Sequence, residues 1–383
     1  MSFLALLALM FLSSAIPLAL ALVLRKRSEA WAKRLFLLAG FIATGQFILW
    51  VYDAGGWQRK KHEAVVHRLV GDPSLKSFSQ LGLTKEESLS AMCMLAEGLA
   101  SQALRDPQDS LAAPLIDRLI HMSYRDYFEP SPRNKRRWPE QWLFMAHLNT
   151  LIGCYSRAGG DDRYRSLHDA ITNMLAKSIM SSPYKNIYSD NNPLTIHPTP
   201  NAVALRSLQI YDRCYGDKLS ERPAKEWTDY VLRELTFNYG NMPCAVTSRE
   251  NRCKELPTSS TLNPLIAALA PVNRSAARDV WQEYKHYFKS TWLQLSADFQ
   301  EYSTSVYKTT PEETVEPTVN ENLLATLGAF RSASYVGDRF TYYQLNNKLL
   351  WKDYFNPLPT KWNRLRVFEV CLRYSACSHH ALL

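Results

Sequence analysis

The sequence predicts an all-α protein: a string of helical hairpins carried behind two apolar N-terminal segments. Two observations lead there. After Thr84 almost every segment shows apolar residues at helical spacing, and no segment alternates strictly for six or more residues. The first 52 residues are mostly apolar while the remainder has the composition of a soluble domain, so the mean hydropathy of -0.26 averages two different parts.

The N-terminal part reads as a transmembrane hairpin. Phe3 to Leu24 carries no charge, and at ~1.5 Å per residue it spans the ~30 Å hydrocarbon core of a bilayer as a helix. A cleaved signal peptide has its basic region before the apolar run; here Arg25, Lys26 and Arg27 follow it, which favours a retained helix. Leu35 to Tyr52 is the second apolar run, closed by Trp50 and Tyr52 at the position of an aromatic belt. The basic loop Arg25–Arg34 belongs on the cytoplasmic side, so the large domain is expected on the outer face of an inner or plasma membrane. The expected organisation is residues 1–55 as the membrane hairpin (helices about 3–24 and 35–52), 56–80 as a linker, and 81–383 as the helical domain.

Within that domain, Thr84 with Glu87 forms a capping box for a helix over Lys85–Ala103. Leu111–Tyr124 follows, then Gln141–Ala158 stopped by Gly159–Gly160, and Arg163–Met180 ahead of Pro183. Asn201–Cys214, Arg222–Phe237, Ser259–Ala270 and Ser275–Leu295 continue the series. Asn320–Tyr335 and Asp338–Lys348 are parted by Val336–Gly337, and Asn363–Tyr374 is last. Bundle, solenoid and closed toroid of hairpins all suit such a series. No repeat of 34–47 residues recurs, which tells against a solenoid.

The net charge of +9 does not imply a nucleic-acid partner. The Arg25–Arg34 loop and the cluster Arg133, Lys135, Arg136 and Arg137 supply much of it, with no recognition motif. Seven cysteines show neither CxxC nor Cys/His zinc spacing, so no metal is expected. Cys244 and Cys253 suit a loop disulfide in an oxidising space, and Cys371 with Cys377 is a second candidate pair.

Candidate chemistry lies in irregular loops and one helix. The stretch Tyr184–Pro200 carries Asp190, Asn191 and His197, and Asn238–Ser260 is the second long loop. Glu301–Asn320 is a third, acidic one. His147 lies in WLFMAHLNTLIGCY, apolar on nearly all sides and therefore buried, where its ring nitrogens need partners. A core histidine bonded to one neighbour is the alternative to a catalytic one. Glu97 is an inward-facing carboxylate.

Several blocks resemble the linalool dehydratase/isomerase family: GLASQALRDP at 98–107, WLFMAHLNTLIGCYSRAGGDDRYRSLH at 142–168 and NAVALRSLQIYDRCYGD at 201–217. VWQEYKHYF at 280–288 and TLGAFRSASYVGDRFTYYQL at 326–345 are similar more weakly, in the same order. The resemblance implies an (α/α)6 toroid with a hydrophobic central cavity. It also implies cofactor-free acid/base chemistry of lyase or isomerase type on a small, partly apolar, isoprenoid-like alcohol, in a homo-oligomer. The family's helix histidine falls on His147. Its two site cysteines fall near Asn191 and on Pro200, and its later site tyrosine near Ser260; its early aspartate and tyrosine have no counterpart. The resemblance retains His147 alone; by their placement, Asp190 and His197 in the same loop and Glu97 just before the GLAS block are the candidates to join it in proton transfer, with Asn191 and Ser260 near the substrate. Two other readings of the same fold are a carbohydrate-active enzyme with paired carboxylates, and a non-catalytic binding or membrane-assembly protein.

Overall fold

The computed structural model describes residues 14–15, 17–127, 138, 141–185, 187, 195–237, 242–248, 250, 252–292, 294–303, 319–355 and 361–379. The protein is mostly helical, as its periodicity requires. Residues 17–24 are helical and turn through 25–27 into α1 (Glu29–Ala54). Among the described residues, α1 is one helix long and apolar enough to cross a membrane. The first expected span, 3–24, lies partly outside the described residues. Ala32, Ala39 and Gln46 are the buried residues of α1, spaced by seven along one face. Ser14 Oγ donates to the Ala39 carbonyl at 3.3 Å, so this small-residue seam receives the preceding helix.

The stretch 56–80, expected as a linker, contains a helix: α2 (Trp57–Gly71) packs on the last helix of the chain through buried Val66, Leu69 and Val70. Its charged face, with Arg59, Lys60 and Lys61, masks the apolar stripe on the other side.

The domain continues as α3 (Lys85–Arg105), α4 (Ala112–Tyr127), α5 (Trp142–Arg157), α6 (Arg165–Ser181), α7 (Pro198–Tyr215) and α8 (Glu221–Glu234). Then come α9 (Ser259–Val272), α10 (Arg274–Phe288), α11 (Val319–Val336), α12 (Arg339–Phe355) and α13 (Arg364–Ser378). The Thr84 capping box forms as the sequence implies: Thr84 Oγ1 accepts from the Glu87 amide, and Glu87 Oε2 from the Thr84 amide. Alternate helices pack in a circuit, α3 on α5, α5 on α7, α7 on α9, α9 on α11, α11 on α13, and α13 back on α3. The intervening helices lie outside: α4 against α3 and α5, α6 against α5 and α7, α10 against α9 and α11.

Two expected helices are shorter than their patterns. Ser275–Leu295 ends at Phe288, where Lys289–Trp292 (β1) and Ser296–Phe299 (β2) form an antiparallel hairpin with Gln294 at positive φ between them. Phe299 then fills the core beside Trp281 and Tyr284, which a continuous helix would not allow. Arg222–Phe237 ends at Glu234, and Thr236–Phe237 pairs with Met242–Pro243. A small sheet joins Thr195–Ile196, Val246–Ser248 and Cys253–Glu255, in which Cys244 and Cys253 are disulfide-bonded with Cα atoms 5.8 Å apart. Cys371 and Cys377 are free thiols, because both lie on α13 and do not meet.

Gly98 sits where α3 meets α13 and the circuit closes. A Cβ there would lie 2.5 Å from Cε1 of the Tyr374 ring, which is itself fully buried. Replacing a helix glycine by alanine ordinarily stabilises; here the clash reverses the sign. Gly98→Ala should destabilise the domain by about 1–3 kcal/mol, the cost of overpacking a filled core. Urea unfolding followed by circular dichroism measures it, and an unchanged or raised midpoint would contradict this contact.

Candidate functional site

The circuit encloses a charged centre. Glu97 on α3 is 4% exposed, and its carboxylate bridges two guanidiniums. Arg206 Nε on α7 donates to Oε1 at 3.1 Å, and Arg331 Nη2 on α11 to Oε2 at 2.8 Å. Tyr335, one turn beyond Arg331, donates its hydroxyl to Oε2 at 2.9 Å. Arg331 Nε also donates to Ser375 Oγ on α13, at 2.9 Å. Four helices of the circuit are thus tied through one carboxylate. Burial raises the Glu97 pKa, but the positive charges of Arg206 and Arg331 outweigh it and hold the carboxyl below its ordinary range. Glu97 is therefore ionised and occupied. That suits an anchor for the arginines better than a group that gives and takes protons.

His147 on α5 lies beside this cluster. Its Nδ1 is 3.3 Å from Cys93 Sγ on α3, and the same sulfur is 3.5 Å from the His147 carbonyl oxygen. The thiol has one proton. Given to the carbonyl, it leaves the sulfur to accept from Nδ1–H, and both contacts are then hydrogen bonds. In that tautomer the lone pair is on Nε2, which has no hydrogen-bond partner among the described residues. Burial pushes the imidazole down to about 4, Glu97 offsetting part of the shift, and pushes the Cys93 thiol well up. Both groups are neutral near pH 7. His147 lines a cavity of ≈ 40 Å³ together with Cys93, Glu97, Thr150, Arg206 and Arg331. That holds at most three or four waters, at about 10–15 Å³ of such space for each, and no substrate-sized molecule.

A much larger cleft, ≈ 610 Å³, opens above it and shares Ser90, Met94, Pro264 and Arg331 with the small cavity. Its walls come from the N-terminal turns of α3, α9, α11 and α13. Met94, Leu324, Phe368 and Leu372 supply apolar surface, and Ser260, Asn263 and Glu301 supply polar groups. Glu301 Oε1 accepts from the Ser260 amide at 3.0 Å and from the Ser260 hydroxyl. Burial nevertheless raises its pKa, the serine bonds offsetting only part. At the rim Glu87 is paired with Arg364, whose Nε donates at 2.8 Å.

Of the sequence candidates, the structure brings His147 and Glu97 together at the cavity, and Ser260 into the cleft above. His197 is elsewhere: it precedes α7, with Nε2 3.1 Å from Thr195 Oγ1, and burial lowers its pKa while Glu255 raises it. It lines neither cavity. Asp190 and Asn191 lie outside the described residues, as do Glu312, Glu313 and Glu316. Cys93, Arg206, Arg331 and Glu301 were not singled out from the sequence. Cys93 was readable in principle, since it shares the inward stripe of α3 with Glu97 one turn on. No group of three or more metal-ligating side chains occurs among the described residues. No known family model matches the chain.

Two outcomes follow for stability. Glu97→Gln keeps the shape but removes the buried negative charge that Arg206 and Arg331 share, so urea unfolding should show a loss of about 3–5 kcal/mol. Retained stability would show the cluster to be solvated. Depressed histidines set the pH dependence: His147 titrates at about 4, and burial lowers His62 and His168 to about 3. The unfolded chain protonates these rings near pH 6.5 and the native state does not, so stability falls as pH drops from about 6.5 to 4. The Glu97 contribution, present above the ordinary carboxylate pKa, is lost at still lower pH. His147→Gln should flatten the slope between pH 6.5 and 4; an unchanged slope would mean that His147 is accessible and unshifted.

Proposed function

We propose that the chain is a membrane-anchored, cofactor-free enzyme of lyase or isomerase type, akin to linalool dehydratase/isomerase, acting on a small amphipathic alcohol. The closed circuit of six alternate helices supports reading residues 81–383 as an (α/α)6 toroid, with α2 added to its outer layer. The observation that carries the function is the pairing of two spaces. An amphipathic cleft large enough for a small ligand leads to a pocket the size of a few waters beside a neutral imidazole.

In this reading the carbon skeleton lies against Met94, Leu324, Phe368 and Leu372, and the carbinol end points toward the pocket. Glu301, its carboxyl raised by burial, gives a proton to the leaving hydroxyl, which departs as water. His147 Nε2 takes a proton from the adjacent carbon, and that C–H electron pair becomes the new double bond. Hydration is the reverse. Arg331 spans both spaces and, through Glu97, keeps a positive field at the floor. Asp190 and Asn191 remain candidates for the same site, and assembly into a homo-oligomer belongs to the proposal.

The anchor supports a lipophilic substrate. α1 exposes Leu37, Phe41 and Ile48, surface that water does not favour and lipid does. We place the apolar segments in the bilayer as a hairpin, with Arg25–Arg34 on the cytoplasmic side and the domain outside. The Cys244–Cys253 disulfide favours that oxidising side. Gln46 on α1 bonds Asn347 on α12 at 3.0 Å, while Asp53 farther along α1 meets Tyr342 earlier on α12. α1 is thus antiparallel to α12, and its N-terminal half heads toward the end of α12 that precedes the cleft-lining start of α13. Exposed Trp351 and Phe355, ring centroids 5.6 Å apart, lie at that end and suit a membrane interface.

A second reading, ligand binding without turnover, is favoured by the ion cluster that fills the ring centre below the cleft. Oxygen exchange separates the two. Protein in nanodiscs, incubated in ¹⁸O-water with a panel of allylic terpene alcohols, should exchange label into the alcohol. His147→Ala and Glu301→Gln should each slow exchange by about 10²–10⁴-fold, as removal of a positioned acid or base does. No exchange with any alcohol, or an undiminished rate in both variants, would remove the catalytic reading.

A further inference from the structure

At the opposite end of the circuit from the cleft, the elbow between α1 and α2 covers another pocket, of ≈ 280 Å³. Arg59 on α2, Arg105 at the end of α3 and Arg339 at the start of α12 all line it. Asp53 is the one acidic residue of the lining, and its two oxygens are taken up by the hydroxyls of Tyr342 and Tyr343, at 3.0 and 3.2 Å. Arg105 is already committed on two nitrogens, with Nη1 donating to the Ser378 carbonyl at 2.8 Å and Nη2 to the His379 carbonyl. Arg59 and Arg339 have no hydrogen-bond acceptor for their guanidinium groups among the described residues. Arg339 lies over the Tyr342 ring at 5.2 Å, a contact that does not use its N–H groups.

Two buried polar atoms at this pocket also lack a hydrogen-bond partner: Nε of Arg59 and Nδ1 of His379. Such atoms are uncommon in native proteins, because each forfeits the hydration it had in water. His379 is held with its ring stacked on Tyr335, centroids 4.0 Å apart. The three arginines also repel one another. The charges of Arg59 and Arg339 add to burial in lowering the Arg105 pKa. Three cations gathered around a polar space with one pre-engaged carboxylate are short of negative charge by about two, and a multiply charged oxyanion supplies it.

We propose that Arg59, Arg105, Arg339 and His379 form a binding site for a phosphate group, separate from the His147 cleft. Guanidiniums offer paired N–H groups that match phosphate oxygens, and those of Arg59 and Arg339 are uncommitted among the described residues. The site joins the anchor to the domain, so an occupant stiffens the α1–α2 elbow. The pocket lies at the end of the circuit away from Trp351 and Phe355, so the phosphate comes from a soluble phosphate compound.

The test uses the full chain in nanodiscs of zwitterionic lipid and follows thermal unfolding while inorganic phosphate is titrated against chloride of equal ionic strength. Phosphate should raise the midpoint of the wild-type protein, and Arg339→Gln and Arg59→Gln should each weaken the response at least about tenfold, or about 1.4 kcal/mol. A second arm replaces the zwitterionic lipid by phosphatidylglycerol without added phosphate. Stabilisation there that both variants lose would overturn the soluble source and place the α1–α2 elbow at the bilayer surface. Variants that respond to phosphate and to phosphatidylglycerol as the wild type does overturn the proposal, as does a wild type that responds to neither. Should one variant fail to fold, the other carries the comparison, since Arg59 and Arg339 lie on different helices.

Discussion

One buried carboxylate governs the interior of this protein. Glu97 accepts from Arg206, Arg331 and Tyr335, and Arg331 passes the connection to Ser375. Helices α3, α7, α11 and α13 come from remote parts of the chain, so hydrophobic burial alone would let them slide past one another. A charge with fixed donors on three sides does not permit that, because any shift strands a buried ion. The ring is therefore pinned at its centre by directional bonds and filled around it by non-directional packing.

The same cluster shapes the chemistry above it. It fills the floor of the ring, so what remains beside His147 is small and the larger space is displaced toward the helix N-termini. Dry surroundings keep the imidazole and the Cys93 thiol neutral, and the sulfur bond to Nδ1 turns the Nε2 lone pair toward the cavity. Glu301 is the counterpart in the cleft, a carboxyl whose burial favours its protonated form. Environment thus separates two carboxylates: two arginines hold Glu97 charged, while burial raises the pKa of Glu301.

Much of the helical order was legible in the sequence because its causes are local. The Thr84–Glu87 capping box, the Gly159 stop and the 3.6-residue periodicity each act within a few residues, and the elements they predict are present. The interruption of α10 was not legible, since Phe299 folds back on Trp281 for reasons of core packing. Nor was α2, whose basic face resembles a linker until α13 covers its apolar side. At the site, His147 was found through its apolar helix. Arg206, Arg331 and Glu301 were missed because surface arginines and acidic loops look the same in sequence as buried ones, and only the distant partner makes the difference. The Cys244–Cys253 pair was legible from its polar loop; Cys371 and Cys377 looked similar but lie on one helix that keeps them apart.

The account rests on a ligand lying in the cleft with its carbinol end at the His147 pocket. A ligand-bound structure of the protein with an allylic terpene alcohol tests that most directly. The proposed mechanism predicts density against Met94, Leu324 and Phe368, with the carbon adjacent to the carbinol facing His147 Nε2 and the alcohol oxygen within hydrogen-bond reach of the Glu301 carboxyl. A cleft that stays unoccupied at saturating alcohol, or a ligand oriented with its hydroxyl toward the rim and its chain toward His147, would contradict it.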